Sequence, residues 1–249
     1  MSLTKNEIKF IKSLQLKKFR DQHQQFVIEG EKVVNELFTQ DKFSVKKVYY
    51  TEEFDVNLIP SNLESKLISN KDLDRITGFK KANKILAIAN FNTISDIDFD
   101  ENNLILILDN VKDPGNLGTI IRTADWFGIT QIIVSENTVE LYNPKVIQSS
   151  MGAIYRMNFH IKSLTNVITE FKNNDYTIYG AVMNGKNIYK TDIKAKSVLV
   201  MGSESHGISN EILNLTSDKI TIPNFGKSES LNVAMASGIL LSEYKKSEF

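Results

Sequence analysis

The chain has 249 residues, no cysteine, 30 basic (Lys and Arg) against 30 acidic (Asp and Glu) side chains, and 41% hydrophobic residues. This length allows one large domain or two modest ones, and the ordinary composition excludes disordered, fibrous and coiled-coil proteins. The absence of cysteine excludes disulfides and thiolate nucleophiles, which favours a reducing cytoplasm. No apolar run reaches the ~20 residues of a membrane span. The net charge of zero argues against a general polyanion binder.

Residues 1–91 predict a small α/β domain, because helical and strand patterns alternate. Thr4 and Glu7 form a capping-box pattern that opens the first helix, and Ser69 and Asp72 open another. The first residues of the chain have no apolar core typical of a secretory signal. The remaining elements are predicted as strands at 26–28, 45–50 and 85–89 and a helix at 31–38.

Two segments of this domain are basic although the whole chain is neutral. One lies within residues 5–20 and the other within residues 80–84. Solvated helix faces are the simpler interpretation, and contacts with nucleic-acid phosphates are the alternative. The basic residues are Lys5, Lys9, Lys12, Lys17, Lys18, Arg20, Lys80, Lys81 and Lys84.

A second α/β domain is predicted over residues 104–249, after a polar and acidic linker at 92–103. The continuous apolar run 104–108 is typical of a strand buried on both faces of a parallel sheet. Further strands are predicted at 132–134, 177–182, 197–201 and 220–222, and helices at 117–127, 144–154, 164–173, 210–215 and 231–246.

Polar and glycine-rich segments follow three of these strands, at 109–118, 202–207 and 223–232. In open α/β sheets, ligands bind beyond the carboxyl ends of the strands. The three segments therefore predict a compound pocket at one sheet edge.

Common nucleotide and metal motifs are excluded at this edge. The segment 226–228 resembles the end of a Walker A loop, but Thr221 stands where that loop requires glycine. The three histidines have no metal-ligand spacing, and no metal is expected. On the helix that begins near the first segment, Arg122 lies opposite the apolar face. Arg122 is therefore either a plain exposed arginine or a residue that faces the pocket.

Together the three segments resemble the three motifs of the SpoU (TrmH) family of RNA ribose 2′-O-methyltransferases, in the SPOUT superfamily. Asp113–Ala124 (DPGNLGTIIRTA) resembles motif 1, Val200–Glu204 (VMGSE) motif 2, and Ile222–Ala234 (IPNFGKSESLNVA) motif 3. Phe26–Gly30 (FVIEG) resembles the start of the substrate-binding domain that often precedes the catalytic one. Ser205 departs from the pattern, since many members have a second glycine there.

The resemblance implies a fold and a cofactor. The expected fold is a parallel-sheet SPOUT domain with a deep trefoil knot, preceded by a ribosomal protein L30e-like α/β substrate-binding domain. The knot loops would hold S-adenosylmethionine through backbone groups and apolar walls, with Gly202, Ile222 and Leu231 contacting it. The resemblance also implies a homodimer that pairs through the C-terminal domains, with the site close to the interface.

The implied reaction is methyl transfer from S-adenosylmethionine to a ribose 2′-hydroxyl of RNA. The resemblance makes Arg122 the residue that acts on this hydroxyl. We expect it to orient the hydroxyl and a phosphate, because a charged guanidinium donates hydrogen bonds and has no acceptor for a proton. Four further residues would orient Arg122 and the ribose: Asn116, Glu204, Ser230 and Asn232.

The identity of the RNA stays open at this point. The N-terminal domain favours ribosomal RNA, and 23S ribosomal RNA is the preferred expectation. A transfer RNA 2′-O-methyltransferase, a non-catalytic RNA-binding protein on the same fold and an NAD-linked oxidoreductase on an ordinary doubly wound sheet are the alternatives. The expected location is the cytoplasm, with RNA as partner and no membrane.

Overall fold

The computed structural model describes residues 2–81, 83–92, 96–99 and 104–246. The chain divides into two compact units, one formed by Met1–Thr93 with Glu140–Arg156 and the other by Ile94–Val139 with Met157–Phe249. In this division Glu140–Arg156, which the sequence pattern assigns to the second domain, groups with the N-terminal residues. Within the predicted linker, residues 93–95 and 100–103 lie outside the described residues.

The helices and strands alternate as the sequence pattern predicts. The helices are α1 (Lys5–Ser13), α2 (Lys17–His23), α3 (Glu31–Phe38), α4 (Asn70–Ile76), α5 (Pro114–Trp126), α6 (Pro144–Ser150), α7 (Leu164–Asn173), α8 (Asn210–Leu213) and α9 (Val233–Lys245). The strands are β1 (Gln25–Glu29), β2 (Val45–Tyr50), β3 (Ser65–Leu67), β4 (Ile85–Asn90), β5 (Ile105–Leu108), β6 (Gln131–Ser135), β7 (Asn158–Lys162), β8 (Thr177–Asn187), β9 (Ser197–Met201) and β10 (Asp218–Thr221).

Within the described residues, each unit contains one sheet. The first has four strands in the order β1-β4-β2-β3. The second has six strands in the order β10-β8-β9-β5-β6-β7, and every neighbouring pair is parallel. The predicted parallel α/β domain is therefore confirmed. The pattern missed α2, β3 and β7, because short elements with mixed polarity give little periodic signal.

The capping box predicted at the start of α1 is present. The Glu7 N–H donates to Thr4 Oγ1 at 3.2 Å, and the Thr4 N–H donates to Glu7 Oε2 at 2.9 Å. Lys66 Nζ donates to the same carboxylate at 2.9 Å. The hydrogen bond from the Thr4 backbone, supported by Lys66, lowers the pKa of Glu7 from 4.5 to about 2.

The variant Glu7→Ala is expected to lower the free energy of unfolding by about 1 kcal/mol at pH 7, because it removes one half of the capping box. The folded pKa lies below the unfolded one, so this stabilisation is present above about pH 4.5 and is lost as the pH falls to about 2. Chemical denaturation at pH 7, 4.5 and 2.5 measures the difference. The exposed control Glu52→Ala should have little effect at any of these pH values, and an equal loss in both variants would contradict the assignment.

Arg20 corrects one expectation about the basic N-terminal segment. Its side chain is 2% exposed, with Nε and Nη2 on the two carboxylate oxygens of Glu140 at 2.7 and 2.6 Å and Nη1 on the Leu14 carbonyl at 2.8 Å. A buried, fully paired guanidinium cannot contact an RNA phosphate. The pair also ties residue 140 to the first unit, where Tyr142 stacks on Phe26 with ring centroids 4.6 Å apart.

Two helices of the second unit begin at side-chain caps. Asp113 caps α5, with Pro114 as its first residue, and its side chain accepts from the Asn116 N–H at 2.8 Å. The helix thus begins three residues before the predicted Leu117, since a proline at the first position suits a helix start. Asn232 caps α9 in the same way, two residues before Ala234.

The two helices also pack against each other within the second unit. A Cβ built on Gly238 of α9 would lie 3.6 Å from Thr123 Cγ2 of α5, which is ordinary van der Waals contact, so Gly238 faces α5 there.

In the described part of the chain, no helix is long and apolar enough to cross a membrane. Those residues also contain no group of three or more His, Asp or Glu side chains that could hold a metal ion.

Candidate active site

The three polar segments lie at the carboxyl ends of β5, β9 and β10, at one edge of the parallel sheet. β5 and β9 are neighbours, with Leu108 opposite Met201, and β10 lies beyond β8. A cleft of about 860 Å³ opens between the segments after β9 and β10. All three residues expected to contact the cofactor line it: Gly202, Ile222 and Leu231.

The segment after β9 is a closed loop. The backbones of Ser203 and Gly207 exchange two hydrogen bonds of 3.0 Å. A Cβ on Gly202 would lie closer than 3.0 Å to the backbones of Gly207 and Ile208, so only glycine fits there. The loop reaches positive φ at Gly207 (+67°). Ser205 is not among the residues with positive φ, so serine costs no backbone strain at this departure from the family pattern.

Asp109 anchors this loop, a role that the sequence analysis did not predict. The carboxylate is 2% exposed and accepts from the Ser209 N–H at 2.7 Å and from Asn110 Nδ2 at 2.7 Å. Asp109 therefore links the end of β5 to the segment that follows β9. The available signal was an acidic residue directly after a buried apolar strand, where an unpaired charge is costly.

Three of the predicted catalytic residues form one chain of hydrogen bonds. Asn232 Nδ2 donates to Asn116 Oδ1 at 3.0 Å, and Asn116 Nδ2 donates to Glu204 Oε1 at 2.8 Å. One residue comes from each motif segment, so the chain joins the ends of β5, β9 and β10. These contacts show that the three motifs assemble into one site.

Backbone donors define the direction of this chain. Asn232 Oδ1 accepts from the Ala234 N–H at 2.9 Å as part of the helix cap, which leaves its amide nitrogen to face Asn116. The Asn116 oxygen is then the acceptor, and its nitrogen faces Glu204. Only Oε1 of Glu204 is used, and Oε2 has no hydrogen bond within the described residues. This series of hydrogen bonds therefore ends on a carboxylate oxygen that can accept a hydrogen bond from a ligand.

Arg122 and Ser230 lie outside this chain. Arg122 is exposed on α5 and does not line the cleft, and its side chain makes no hydrogen bond or ion pair with any described residue. Ser230 is exposed and does line the cleft. Neither side chain forms a hydrogen bond with Asn116, Glu204 or Asn232. The expected orientation of Arg122 by these residues therefore has no hydrogen bond to support it within the described residues of one copy.

The cleft suits S-adenosylmethionine by its chemistry. This cofactor has an adenine, a ribose and a sulfonium but no phosphate, so it requires neither a lysine nor a glycine-rich phosphate loop. The cleft wall offers backbone groups at Gly202 and Ile222 and apolar side chains at Leu231 and Leu240. Its volume lies in the range of 300–1,000 Å³ usual for small-ligand sites.

Two family matches cover most of the chain. Residues 103–242 match the SpoU rRNA Methylase family, and residues 5–87 match the MRM3-like substrate binding domain. The first match spans more than half of the sequence, and the chain belongs to the SpoU rRNA methylase family. The predicted family and the predicted N-terminal substrate-binding domain are thereby confirmed.

Named relatives are similar to this chain over most or all of its length. The 23S rRNA (guanosine(2553)-2′-O)-methyltransferase RlmP of Bacillus subtilis is 29% identical over 245 residues, which is 96% of each chain. The 23S rRNA (guanosine-2′-O-)-methyltransferase RlmB of Neisseria meningitidis is 28% identical over 70% of this chain and 74% of its own. The AdoMet-bound rRNA methyltransferase from Sinorhizobium meliloti has a TM-score of 0.89 at 28% identity, covering 100% of this chain and 97% of that one.

Proposed function

We propose that this protein transfers a methyl group from S-adenosylmethionine to a ribose 2′-hydroxyl of ribosomal RNA, with 23S ribosomal RNA as the substrate. The observation that carries the proposal is the hydrogen-bonded chain of Asn232, Asn116 and Glu204 beside the cleft after β9. The family supports the reaction type, and the names of the Bacillus subtilis and Neisseria meningitidis relatives support 23S ribosomal RNA.

Gly202, Ile222 and Leu231 hold the cofactor in this proposal. Gly202 lets the loop after β9 pack against its backbone and so shapes the cleft, and Leu231, which is 53% exposed, supplies an apolar wall. When bound, the cofactor supplies an electrophilic methyl group on its sulfonium. The protein needs no metal for this transfer, because the sulfur is already a good leaving group.

A ribose hydroxyl is a poor nucleophile until its proton is polarised or removed. Glu204 has a carboxylate oxygen that is open to such a hydroxyl or to a guanidinium, while Asn116 holds its other oxygen. We assign to Arg122 the orientation of the hydroxyl and of a neighbouring phosphate, and to Ser230 a contact with the ribose at the cleft wall. Most of the acceleration then comes from alignment of the reacting groups.

Labelled cofactor tests this proposal directly. The protein is incubated with methyl-labelled S-adenosylmethionine and unmodified total RNA, and the labelled nucleotide is mapped. Label on a 2′-O-methyl ribose of 23S ribosomal RNA is expected. Label on transfer RNA would mean that transfer RNA, and not 23S ribosomal RNA, is the substrate. RNA binding without label would favour a non-catalytic RNA-binding protein. Separate calorimetric titrations with NAD and with S-adenosylmethionine provide the control. If the protein binds NAD and does not bind S-adenosylmethionine, the oxidoreductase is favoured.

The N-terminal unit binds the RNA in this proposal. Lys9 and Lys12 on α1 and Lys17 and Lys18 on α2 are exposed and have no ion pair within the described residues. Lys84 is also exposed, but it lies 3.6 Å from Glu31 in an ion pair. The four lysines of α1 and α2 are therefore better candidates for phosphate contacts than Lys84.

Reversing Lys9, Lys12, Lys17 and Lys18 to glutamate is expected to weaken RNA binding and to flatten its salt dependence. Each lost phosphate contact reduces the slope of log affinity against log salt by about 0.7–0.9. The control reverses four exposed lysines elsewhere, namely Lys32, Lys46, Lys71 and Lys172. Filter binding over a salt series measures both variants. If the variant in α1 and α2 keeps the wild-type slope of log affinity against log salt, these lysines form only a solvated face.

Four finer features belong to the same proposal. The chain forms a deep trefoil knot, supported by the path from edge strand β10 to α9, which packs on α5. Two copies pair through their C-terminal domains, supported by Trp126 on α5 and Met235 on α9, which are 84% and 62% exposed. The N-terminal unit has an L30e-like fold, and the protein works in the cytoplasm, where ribosomal RNA is found. Sedimentation equilibrium tests the dimer.

A further inference from the structure

An aromatic ring in full contact with solvent borders the cofactor cleft, on the segment that follows β10. Phe225 is 94% exposed and lines the cleft together with Ile222 and Gly202. A single exposed apolar side chain is ordinary on a protein surface. Two further observations distinguish Phe225: the bracing of its loop and its place at the cleft.

The loop is braced on both sides of this ring. Asn224 Nδ2 donates to the Ser228 carbonyl at 2.7 Å, and the Gly226 N–H donates to Asn224 Oδ1 at 2.8 Å. One side chain therefore closes the turn that contains Phe225. A backbone held in this way presents the ring with less conformational entropy to lose on binding.

We propose that Phe225 is a stacking platform for a base of the RNA substrate, at the mouth of the cleft in which the methylated ribose reacts. This inference rests on the proposed function. A ribose that enters the cleft must have its nucleotide displaced from the neighbouring stack, and displaced bases in RNA stack on aromatic side chains.

The charges of the loop agree with a nucleic-acid partner that is held mainly by stacking. Lys227 is exposed and has no ion pair within the described residues, so it is open to a phosphate. Glu229 lies two residues further on and is also exposed, which cancels the net charge of the loop. Contact with the face of a base therefore contributes more than phosphate attraction here.

Three substitutions separate stacking from plain apolar contact. Phe225→Ala and Phe225→Leu are expected to lower kcat/KM for unmodified, in vitro transcribed 23S ribosomal RNA by about 10- to 100-fold, whereas Phe225→Tyr stays near wild type. The Kd for S-adenosylmethionine should change less than about twofold in all three. The control Ile161→Ala, an exposed side chain on β7 at the opposite edge of the sheet, should behave as wild type.

A second measurement does not depend on methyl transfer. A short single-stranded RNA that contains 2-aminopurine loses fluorescence when the modified base stacks, so wild type and Phe225→Tyr should quench it more strongly than Phe225→Leu. If the wild type quenches this probe but methylates no RNA, the proposed function fails while the stacking role stands. The stacking role is overturned if the leucine variant quenches or turns over like wild type. It is also overturned if the loss in the alanine variant lies in cofactor affinity or in dimerisation.

Discussion

Replacing Arg122 with alanine is expected to reduce the rate of methyl transfer by about 10²–10³-fold, because it removes the guanidinium assigned to the ribose hydroxyl and the neighbouring phosphate. The fold and cofactor affinity should stay close to wild type. Arg122 is exposed on α5 and its side chain makes no hydrogen bond or ion pair with any described residue, so its removal leaves no buried partner unpaired. Single-turnover methylation with labelled cofactor measures the rate, and calorimetry measures the Kd.

Two further variants define what the arginine contributes. Arg122→Lys keeps the charge but loses the planar pair of donors, and it should recover only a small part of the rate. Lys172→Ala removes an exposed cation from α7 and should have no effect. Near-normal turnover of Arg122→Ala would refute the role. Full recovery by lysine would mean that the charge alone matters.

Replacing Gly202 with alanine is expected to weaken cofactor binding by more than about 100-fold. The added Cβ would lie closer than 3.0 Å to the backbones of Gly207 and Ile208, and neither backbone can move without opening the hydrogen-bonded loop after β9. Asn116 Nδ2 donates a 2.8 Å hydrogen bond to Glu204, and opening this loop also moves Glu204 away from Asn116. Calorimetric titration with S-adenosylmethionine measures the loss.

Two other glycines provide matched controls. A Cβ on Gly226 would approach only Asn224 Oδ1, at 3.8 Å, so Gly226→Ala should bind the cofactor within about threefold of wild type. A Cβ on Gly207 meets nothing within 4 Å, but its φ of +67° makes alanine cost about 1–2 kcal/mol of strain. The unfolding temperature is measured alongside, to separate loss of the cleft from loss of the fold. Wild-type affinity in a folded Gly202→Ala variant would contradict the proposed close packing.

The predicted elements agree best with the structure where the signal is local. The capping box at Thr4 and Glu7 and the buried run at β5 are both present, because a cap and a buried strand are specified by residues a few positions apart. The start of α5 was misplaced for a local reason too. The apolar pattern places the helix start at Leu117, although Asp113 and Pro114 are themselves a helix start.

Contacts between distant residues were not predictable in the same way. The sequence places Arg20 in a basic segment, because nothing local indicates that its partner is Glu140, 120 positions away. The neutral net charge likewise concealed which lysines are exposed and which are paired. Pairing of this kind depends on the path of the chain between the two residues, which no local periodicity encodes.

The sequence by itself determined the class of fold, the family and the residues of the three motifs, since these depend on residue type, spacing and order along the chain. The tertiary structure decided which of those residues meet. Asn116 bonds Asn232 across 116 positions and Glu204 across 88, and this joins three strand ends in one site. The tertiary structure also decided that position 202 admits only glycine. It placed the Arg122 side chain outside the hydrogen bonds that join Asn232, Asn116 and Glu204. Distances between side chains on separate strands follow from strand order and helix packing, and these are settled only when the whole core is assembled.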